Sequence, residues 1–373
     1  MAIQIEEVVN RRQRQQFIQF RHALYQGDPC YVPNLQLSDQ RLFSRGNPIF
    51  KHAEVALFLA RRDGQIVGRI AAIKNEVHLD RYQDNTGFFG FFDVVDDAEV
   101  GEALLQRAEA WLGARGLQKM IGPENFTTND SVGLLVEGFD RPPVVEMPYN
   151  KPYYERIVQQ AGLQPITDLY AYRFSTVELG AAFAKRAALL EERLAQNGIH
   201  IRPINFKVYK AEMERFREVY NRSNADNWGF VPLSREEFLF LADDLRKIVA
   251  PENVLLAYKG EQLVGFLVTL PDINQILIKI RNGRLLPFAW RHLIRPEKME
   301  GARLLILGVL PEYRNLGIDA CFYQRSSRFF QETGIQWAEA CYVLQENAMM
   351  NRIIQHLKGV RTKTYRLYGC AVG

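Results

Sequence analysis

Apolar and polar residues follow one another with the same pattern in the two halves of the chain. In the first half the strand and helix periods predict, in chain order, a strand at 3–9, a helix at 11–25, strands at 54–61, 65–74 and 87–95, and a helix at 98–115. The corresponding elements of the second half are a strand at 199–204, a helix at 207–222, strands at 254–259, 262–270 and 304–310, and a helix that begins at Ile318. The pattern therefore indicates two copies of one α/β domain.

The two copies align at the helix that follows the last of these strands. That helix ends at Gly116 in the first half and at Gly334 in the second, a constant offset of 218 residues. A repeat of about half the chain indicates two domains, because a solenoid repeats a shorter motif many times. We therefore predict a first copy at 1–175, a linker helix at 176–198 and a second copy at 199–373.

In the second copy, the turn between the strand 304–310 and the next helix carries Arg314 and Gly317. Pro311 ends the strand because it has no N–H to donate. A strand, a tight turn and a helix start direct free backbone N–H groups toward one point, which is an arrangement that binds phosphate. Gly317 allows the backbone to approach a ligand closely, and Arg314 can add a charge-assisted hydrogen bond. A surface loop before an ordinary helix is the alternative.

This turn resembles the pyrophosphate loop of the GNAT superfamily of acyl-CoA N-acyltransferases, in which Arg or Gln precedes Gly by three residues and Gly or Ala follows two residues later. Arg314 and Gly317 match this signature, whereas Asp319 replaces the final Gly or Ala. The resemblance implies an α/β fold of the α+β type, with two tandem GNAT-like domains, each a mixed, largely antiparallel sheet flanked by helices. It places these residues against acetyl-CoA or a longer acyl-CoA: Leu307, Gly308, Val309, Arg314, Asn315, Gly317, Ile318, Asp319 and Asn347.

The first copy differs at the two positions that matter most for phosphate. Asp96 corresponds to Arg314 and Glu99 to Gly317. Two carboxylates would repel a pyrophosphate a few ångströms away. We therefore predict that the first copy is degenerate as a cofactor domain and shapes the substrate side.

Acylation of an amine requires a base, and Glu339 is the candidate. Strand alternation places Glu339 on one face with Trp337 and Cys341, and apolar surroundings would raise the pKa of this carboxyl. A solvated Glu at a strand end is the alternative. In GNAT folds the acyl-pantetheine arm lies between two diverging strands, and the resemblance places Asn347 against it. An ordinary helix N-cap is the alternative for Asn347. No general acid is identified.

Candidate substrate-binding residues lie in two loops. The long segment 122–154 contains Asn125, Thr128 and Asn129, whose short polar side chains could orient an amine or a hydroxyl. Asx and ST turns that serve the backbone of this loop are the alternative. Trp228, in an early loop of the second copy, is a further candidate for the substrate wall.

The second copy also contains an insertion at 272–298 that is basic and apolar. Its cationic residues are Lys279, Arg281, Arg284, Arg291 and Arg295. Such a segment can rest on an anionic membrane surface, cover an acyl chain, or pack internally with its arginines in water.

Composition narrows the choice of function. The net charge is +4, with 47 basic and 43 acidic residues, so the overall charge does not require a nucleic-acid partner. The four cysteines and six histidines show no metal-ligand spacing, so no metal is expected, and the N-terminus lacks the apolar core of a signal peptide. These observations predict a cytoplasmic protein with reduced thiols.

The resemblance thus implies an enzyme that transfers an acyl group from acyl-CoA to an amine of a small molecule. Three alternatives stay open: a long-chain acyltransferase that acts on a lipid amine at the membrane surface, a Fem-type transferase that uses aminoacyl-tRNA, and a protein that binds acyl-CoA without turnover.

Overall fold

The computed structural model describes residues 2–176, 180–280, 283–284 and 299–373. It divides the chain into two compact units. Unit 1 comprises Met1–Tyr170, Ile276–Pro287 and Lys363–Gly373, and unit 2 comprises Ala171–Gln275 and Phe288–Thr362. The last strand of the chain thus contributes most of its residues to unit 1, whereas the repeat assigns it to the second copy.

The strands, in chain order, are β1 (Gln4–Glu7), β2 (Ala53–Arg62), β3 (Gln65–Asn75), β4 (Thr86–Val94), β5 (Lys119–Gly122), β6 (Glu124–Asn125), β7 (Ser131–Val132), β8 (Leu134–Glu137), β9 (Gln164–Ser175), β10 (Ile199–Pro203), β11 (Val254–Lys259), β12 (Gln262–Pro271), β13 (Gly301–Val309), β14 (Trp337–Leu344) and β15 (Val360–Ala371). The helices are α1 (Arg11–Leu24), α2 (Gln36–Leu42), α3 (Glu76–Tyr82), α4 (Ala98–Gly113), α5 (Tyr154–Gln160), α6 (Gly180–Gln196), α7 (Tyr209–Ser223), α8 (Arg235–Leu245), α9 (Asn274–Leu277), α10 (Ile318–Thr333) and α11 (Ala348–His356).

The sheet of unit 1 has the order β1-β2-β3-β4-β5-β15, and β8 also pairs with β15. Its pairs are antiparallel except β4 and β5, which are parallel. Strand alternation divides its core between two faces. Phe58 packs with Leu104 of α4 on one face, whereas the adjacent Leu59 packs with Phe17 of α1 on the other. Each fully buried side chain of this size contributes about 1.5–3 kcal/mol to the free energy of unfolding.

The sheet of unit 2 has the order β14-β13-β12-β11-β10. Only β13 and β14 are parallel among these pairs. Phe266 of β12 contacts Phe216 of α7, with ring centroids 4.4 Å apart, while the adjacent Leu267 packs in a cluster with Ile318 and Phe322 of α10. Helices therefore cover both faces, and the predicted fold class is confirmed: each unit holds a mixed, largely antiparallel sheet flanked by helices.

The insertion predicted at 272–298 is described only in part, because residues 281–282 and 285–298, including Arg281, Arg291 and Arg295, lie outside the described residues. The described part contains α9 and Gly283, and Gly283 contacts the N-terminal region of unit 1. There the Gln36 N–H donates to the Gly283 carbonyl over 3.0 Å.

Candidate active site

The parallel strands β13 and β14 pair only at their beginnings. Their register runs from Gly301 opposite Trp337 to Leu304 opposite Ala340. Both strands then continue, β13 to Val309 and β14 to Leu344, without pairing to each other. β13 stays paired with β12 on its other side, and the register shift there leaves Leu305 as the extra residue of a β-bulge. Backbone groups on the β14 side of residues 305–309 therefore have no strand partner among the residues that the structure describes.

The turn after β13 leads directly into α10. A short 3-10 helix at Pro311–Tyr313 precedes it, and Asn315 and Gly317 adopt left-handed conformations with φ values of 64° and 86°. Gly317 is the N-cap of α10, and within the described part of the chain no side chain caps the start of this helix. The N–H groups of residues 315–320 have no acceptor among the described residues. A helix start of this kind carries roughly half an elementary positive charge, so the turn is complementary to a phosphate group.

Arg314 has a supporting position in this turn. Its Nε donates to the Val309 carbonyl over 3.3 Å, and its terminal nitrogen donates to the Ser223 carbonyl over 3.1 Å. The side chain therefore ties the turn to the ends of β13 and α7. A guanidinium has five N–H donors, so these two bonds leave others for a ligand. A cofactor contact by Arg314 stays a prediction.

The linker helix α6 supports the start of α10. Cys321 of α10 donates its thiol hydrogen to the Ala187 carbonyl of α6 over 3.6 Å, and Arg325 pairs with Glu191. A Cβ atom at position 317 would lie 2.9 Å from Cδ1 of Leu190. Gly317 is thus required both by its left-handed backbone and by its close approach to α6. The hydrophobic pattern does not predict this contact, because it joins residues that are far apart in the chain.

In the first copy, side chains occupy the place that corresponds to this turn. Asp97 is the N-cap of α4 and accepts the Val100 N–H over 3.3 Å, while Arg62 pairs with Asp97 over 2.5 Å and with Glu99 over 3.3 Å. Partial burial by itself raises the pKa of Asp97, but the Arg62 guanidinium and the Val100 N–H together hold this pKa below its ordinary value. The carboxylate is therefore charged where a phosphate would otherwise bind. This geometry supports the prediction of a degenerate first copy.

Glu339 is fully buried and contacts Cys341 of the same strand face, as strand alternation predicted, but its surroundings are not apolar. Its Oε2 atom accepts from Arg173 over 3.1 Å and from the Thr362 hydroxyl over 3.1 Å. The expectation of apolar surroundings is wrong, because long-range contacts supply a cation and a hydroxyl donor. Glu339 also lies opposite Arg303, within the paired part of β13 and β14. Its catalytic role stays a prediction.

Asn347 is the N-cap of α11, and its Oδ1 atom accepts the Met350 N–H over 3.0 Å. The helix-cap interpretation is thus confirmed, while the cofactor contact stays a prediction. Asn351, which the sequence pattern did not single out, fixes the start of the same helix. It donates to the carbonyl of Leu344, the last residue of β14, over 3.0 Å and accepts from the Tyr172 hydroxyl over 2.8 Å.

The candidate substrate residues lie in different units. Asn125, Thr128 and Asn129 belong to unit 1, and Trp228, which is 37% exposed, belongs to unit 2. The Asn125 side chain accepts the Phe91 N–H over 2.7 Å and donates to Ser131 over 2.8 Å, so it serves the backbone of its own loop. The Asn129 N–H donates to the Thr127 hydroxyl over 3.1 Å, as in an ST turn. Substrate contacts by these four residues stay a prediction.

Two further features bear on ligands. Among the described residues, no group of three or more His, Cys, Asp or Glu side chains is arranged to hold a metal ion. In the same part of the chain, no helix combines the length and the apolarity needed to cross a membrane.

Two curated relatives match the chain along nearly its whole length. Protein YghO of Escherichia coli (strain K12) is 33% identical over 371 residues, which cover 98% of this chain and 94% of that protein. Bacterial ceramide synthase of Caulobacter vibrioides (strain NA1000 / CB15N) is 32% identical over 361 residues, which cover 94% of this chain and 93% of that protein. No protein-family model matches the chain.

Solved structures give the fold independently. The structure of a tandem GNAT protein from the clavulanic acid biosynthesis pathway superposes with a TM-score of 0.58, covering 100% of this chain and 99% of that chain at 11% identity. The resemblance found in the sequence is confirmed, and relatives and fold together support an acyl-transferring enzyme. The chain belongs to the family that includes protein YghO and the bacterial ceramide synthase, and it has the tandem GNAT fold.

Proposed function

We propose that this protein is an N-acyltransferase that transfers the acyl group of an acyl-CoA to an amine, and that the acyl-CoA binds to unit 2. The observation that carries the proposal is the uncapped start of α10. Its N–H groups have no acceptor among the described residues, and it directly follows the strand that diverges from β14. GNAT folds in general use acyl-CoA as co-substrate, and these residues fit such a ligand.

Different segments of unit 2 bind different parts of the acyl-CoA. The N–H groups of residues 315–320 hold a diphosphate, since each can donate one hydrogen bond to an anionic oxygen. The gap between β13 and β14 holds the pantetheine arm. Acyl-CoA supplies the activated thioester. Unpaired N–H groups near Leu307–Val309 can stabilise negative charge on the thioester oxygen as the amine attacks.

A lipid amine is the acceptor that the comparisons favour. The supporting observation is the relative named bacterial ceramide synthase, which is 32% identical over 361 residues. A ceramide contains a long-chain amino alcohol that is acylated at its nitrogen, so the same reaction class on a lipid amine is the sharper form of the proposal. An amine of a small soluble molecule is the second candidate, because GNAT acyltransferases in general act on such acceptors.

A thiol-release assay tests the proposal. The protein is incubated with acetyl-CoA or palmitoyl-CoA and with sphinganine, octylamine or a panel of soluble amines, and free CoA thiol is measured. We expect the largest rate with palmitoyl-CoA and sphinganine. A larger rate with acetyl-CoA and a soluble amine would select the second candidate. No release from any pair, despite CoA binding, would contradict catalysis and leave a binding protein.

The Fem-type alternative requires a separate measurement. Filter binding of labelled tRNA should show no saturable complex at physiological salt. Saturable binding of tRNA together with absence of CoA binding would replace acyl-CoA with aminoacyl-tRNA as the donor.

A further inference from the structure

A small hairpin in unit 1 places one carboxylate in an unusual position. Glu124 pairs with Val132 and Asn125 with Ser131, so that β6 and β7 form a two-stranded ribbon. The ribbon lies directly against β4, because a Cβ atom at Gly90 would collide with the Glu124 carbonyl oxygen. The Phe91 N–H of β4 also donates to the Asn125 side chain. The hairpin is therefore fixed on the sheet of unit 1, and the Glu124 side chain is carried by a rigid support.

Glu124 is 2% exposed as a residue, and the Oε2 atom of its carboxyl has no hydrogen-bond partner among the described residues. The carboxyl accepts the Thr128 N–H, and Asp130 lies close enough to repel its charge. Burial, followed by the charge of Asp130, raises the pKa of Glu124 well above its ordinary value. An ionised carboxylate in such a place is costly unless a cation or further donors accompany it.

Three other buried carboxylates of this protein have the cationic partners that Glu124 lacks. Asp93 accepts from Arg69 and from the Tyr25 hydroxyl. Glu212 pairs with Arg202, and Glu339 pairs with Arg173. In the part of the chain that the structure describes, no Lys, Arg or His forms an ion pair with Glu124. The position thus has an unpartnered acceptor atom and lacks the cation that would accompany an ionised carboxylate.

We propose that Glu124 and Asp130 bind the ammonium group of a primary amine in unit 1. An ammonium carries three N–H donors and one positive charge, so it can donate to Glu124 Oε2 and at the same time relieve the repulsion between the two carboxylates. This inference rests on the proposed function in one respect: the amine is the class of molecule that the reaction acylates. The inference identifies a primary ammonium as the group of the acceptor that this protein recognises.

Isothermal titration of the full-length protein with octylamine at pH 7.5 tests the site without any acyl-CoA. The matched ligand 1-octanol has the same chain and a polar end group without charge. We expect octylamine to bind at least tenfold more tightly than 1-octanol. Equal affinities would show that the chain alone is bound, and they would overturn the proposal.

Two isosteric variants locate the binding. Glu124→Gln should weaken octylamine at least tenfold and Asp130→Asn about threefold, while neither changes the affinity for 1-octanol. Circular dichroism melting confirms that each variant is folded. A folded Glu124→Gln protein that binds octylamine as the wild type does would overturn the site.

Two controls distinguish the ammonium site from an inorganic cation site and from the CoA site. Replacing choline chloride with potassium chloride at equal concentration should leave octylamine binding unchanged, and competition by millimolar K⁺ would mean an inorganic cation site instead. Gly317→Glu should retain octylamine affinity. If the wild type binds octylamine but no CoA, the proposed function fails while the ammonium site stands. If it binds CoA but no octylamine, the ammonium site fails.

Discussion

The starts of α4 and α10 lie within two residues of each other in the repeat, yet they offer a ligand opposite charges. In the first copy, Asp97 caps the helix and Arg62 neutralises the carboxylates beside it. In the second copy, Gly317 is the N-cap, and the N–H groups at the helix start have no side-chain acceptor among the described residues. The offset of 218 residues pairs Glu99 with Gly317, so α4 begins two residues earlier in the repeat than α10. The turn that is open in the second copy is part of the helix in the first.

This difference shows how one fold can open or close the start of a helix at little structural cost. A side-chain oxygen that caps a helix stabilises it by about 1 kcal/mol, which the second copy forgoes. The N–H groups at the start of its helix therefore stay available to a ligand. The proposed function assigns the cofactor to the second copy, and the following predictions test this assignment in order of decreasing effect.

Gly317→Glu gives the second copy the residue of the first, and it should abolish CoA binding in isothermal titration, a loss of at least 100-fold. A carboxylate would stand beside the diphosphate, and its Cβ would collide with Leu190. Gly334→Glu is the matched control, because Gly334 caps the other end of α10 with a φ value of 79°. The control should bind CoA as the wild type does. A loss in both variants would indicate backbone strain, and retention in both would contradict the assignment.

Arg173→Ala should lower the free energy of unfolding by about 3–5 kcal/mol, measured by urea denaturation, because it leaves Glu339 buried without its cation. The offset pairs Glu339 with Ile121 of the first copy, so the carboxylate of this ion pair has no counterpart in the repeat. Arg173→Lys should lose less than half as much. A change within about 0.5 kcal/mol for Arg173→Ala would mean that the ion pair with Glu339 does not contribute to stability.

Glu124→Gln should raise the melting temperature at pH 7.5 and leave it unchanged at pH 4. The folded protein holds the Glu124 proton more tightly than the unfolded chain, because the pKa of this group is raised on folding. The contribution of Glu124 to stability is therefore complete below about pH 4.3 and is lost as the pH rises through the folded-state pKa. Melting curves of both proteins between pH 4 and pH 8 check this. Parallel curves would show that Glu124 does not titrate in this range.

Asp319→Ala should tighten CoA binding about threefold, the smallest of these effects. It removes a negative charge in the first turn of α10 and restores the residue type that the GNAT signature has there. The expected cost is about 0.3–1 kcal/mol of stability, because an acid near a helix start is favourable. Titration at 50 mM and 300 mM NaCl should show a smaller gain at the higher salt. Weaker binding would mean that the carboxylate contacts the ligand favourably.

The sequence predicts those features that depend on residues close together in the chain. The strand, the turn and the glycine at 317 define the candidate cofactor site within twenty residues, and the hydrophobic pattern gives the order of the elements. The surroundings of Glu339 could not be predicted, since Arg173 and Thr362 lie 166 and 23 residues away. The burial of Glu124 could not be predicted for the same reason. Its hairpin removes it from water only by packing on Gly90, which is distant in the chain.

Hydrogen exchange of the two helix starts, with and without CoA, tests the central claim most directly. Without ligand, the amides of residues 315–320 should exchange rapidly, because they lack acceptors among the described residues. Saturating CoA should slow their exchange at least tenfold and leave the amides of residues 98–101 unchanged. Protection at 98–101, or no protection at 315–320 while CoA is bound, would contradict the assignment of the second copy as the cofactor domain.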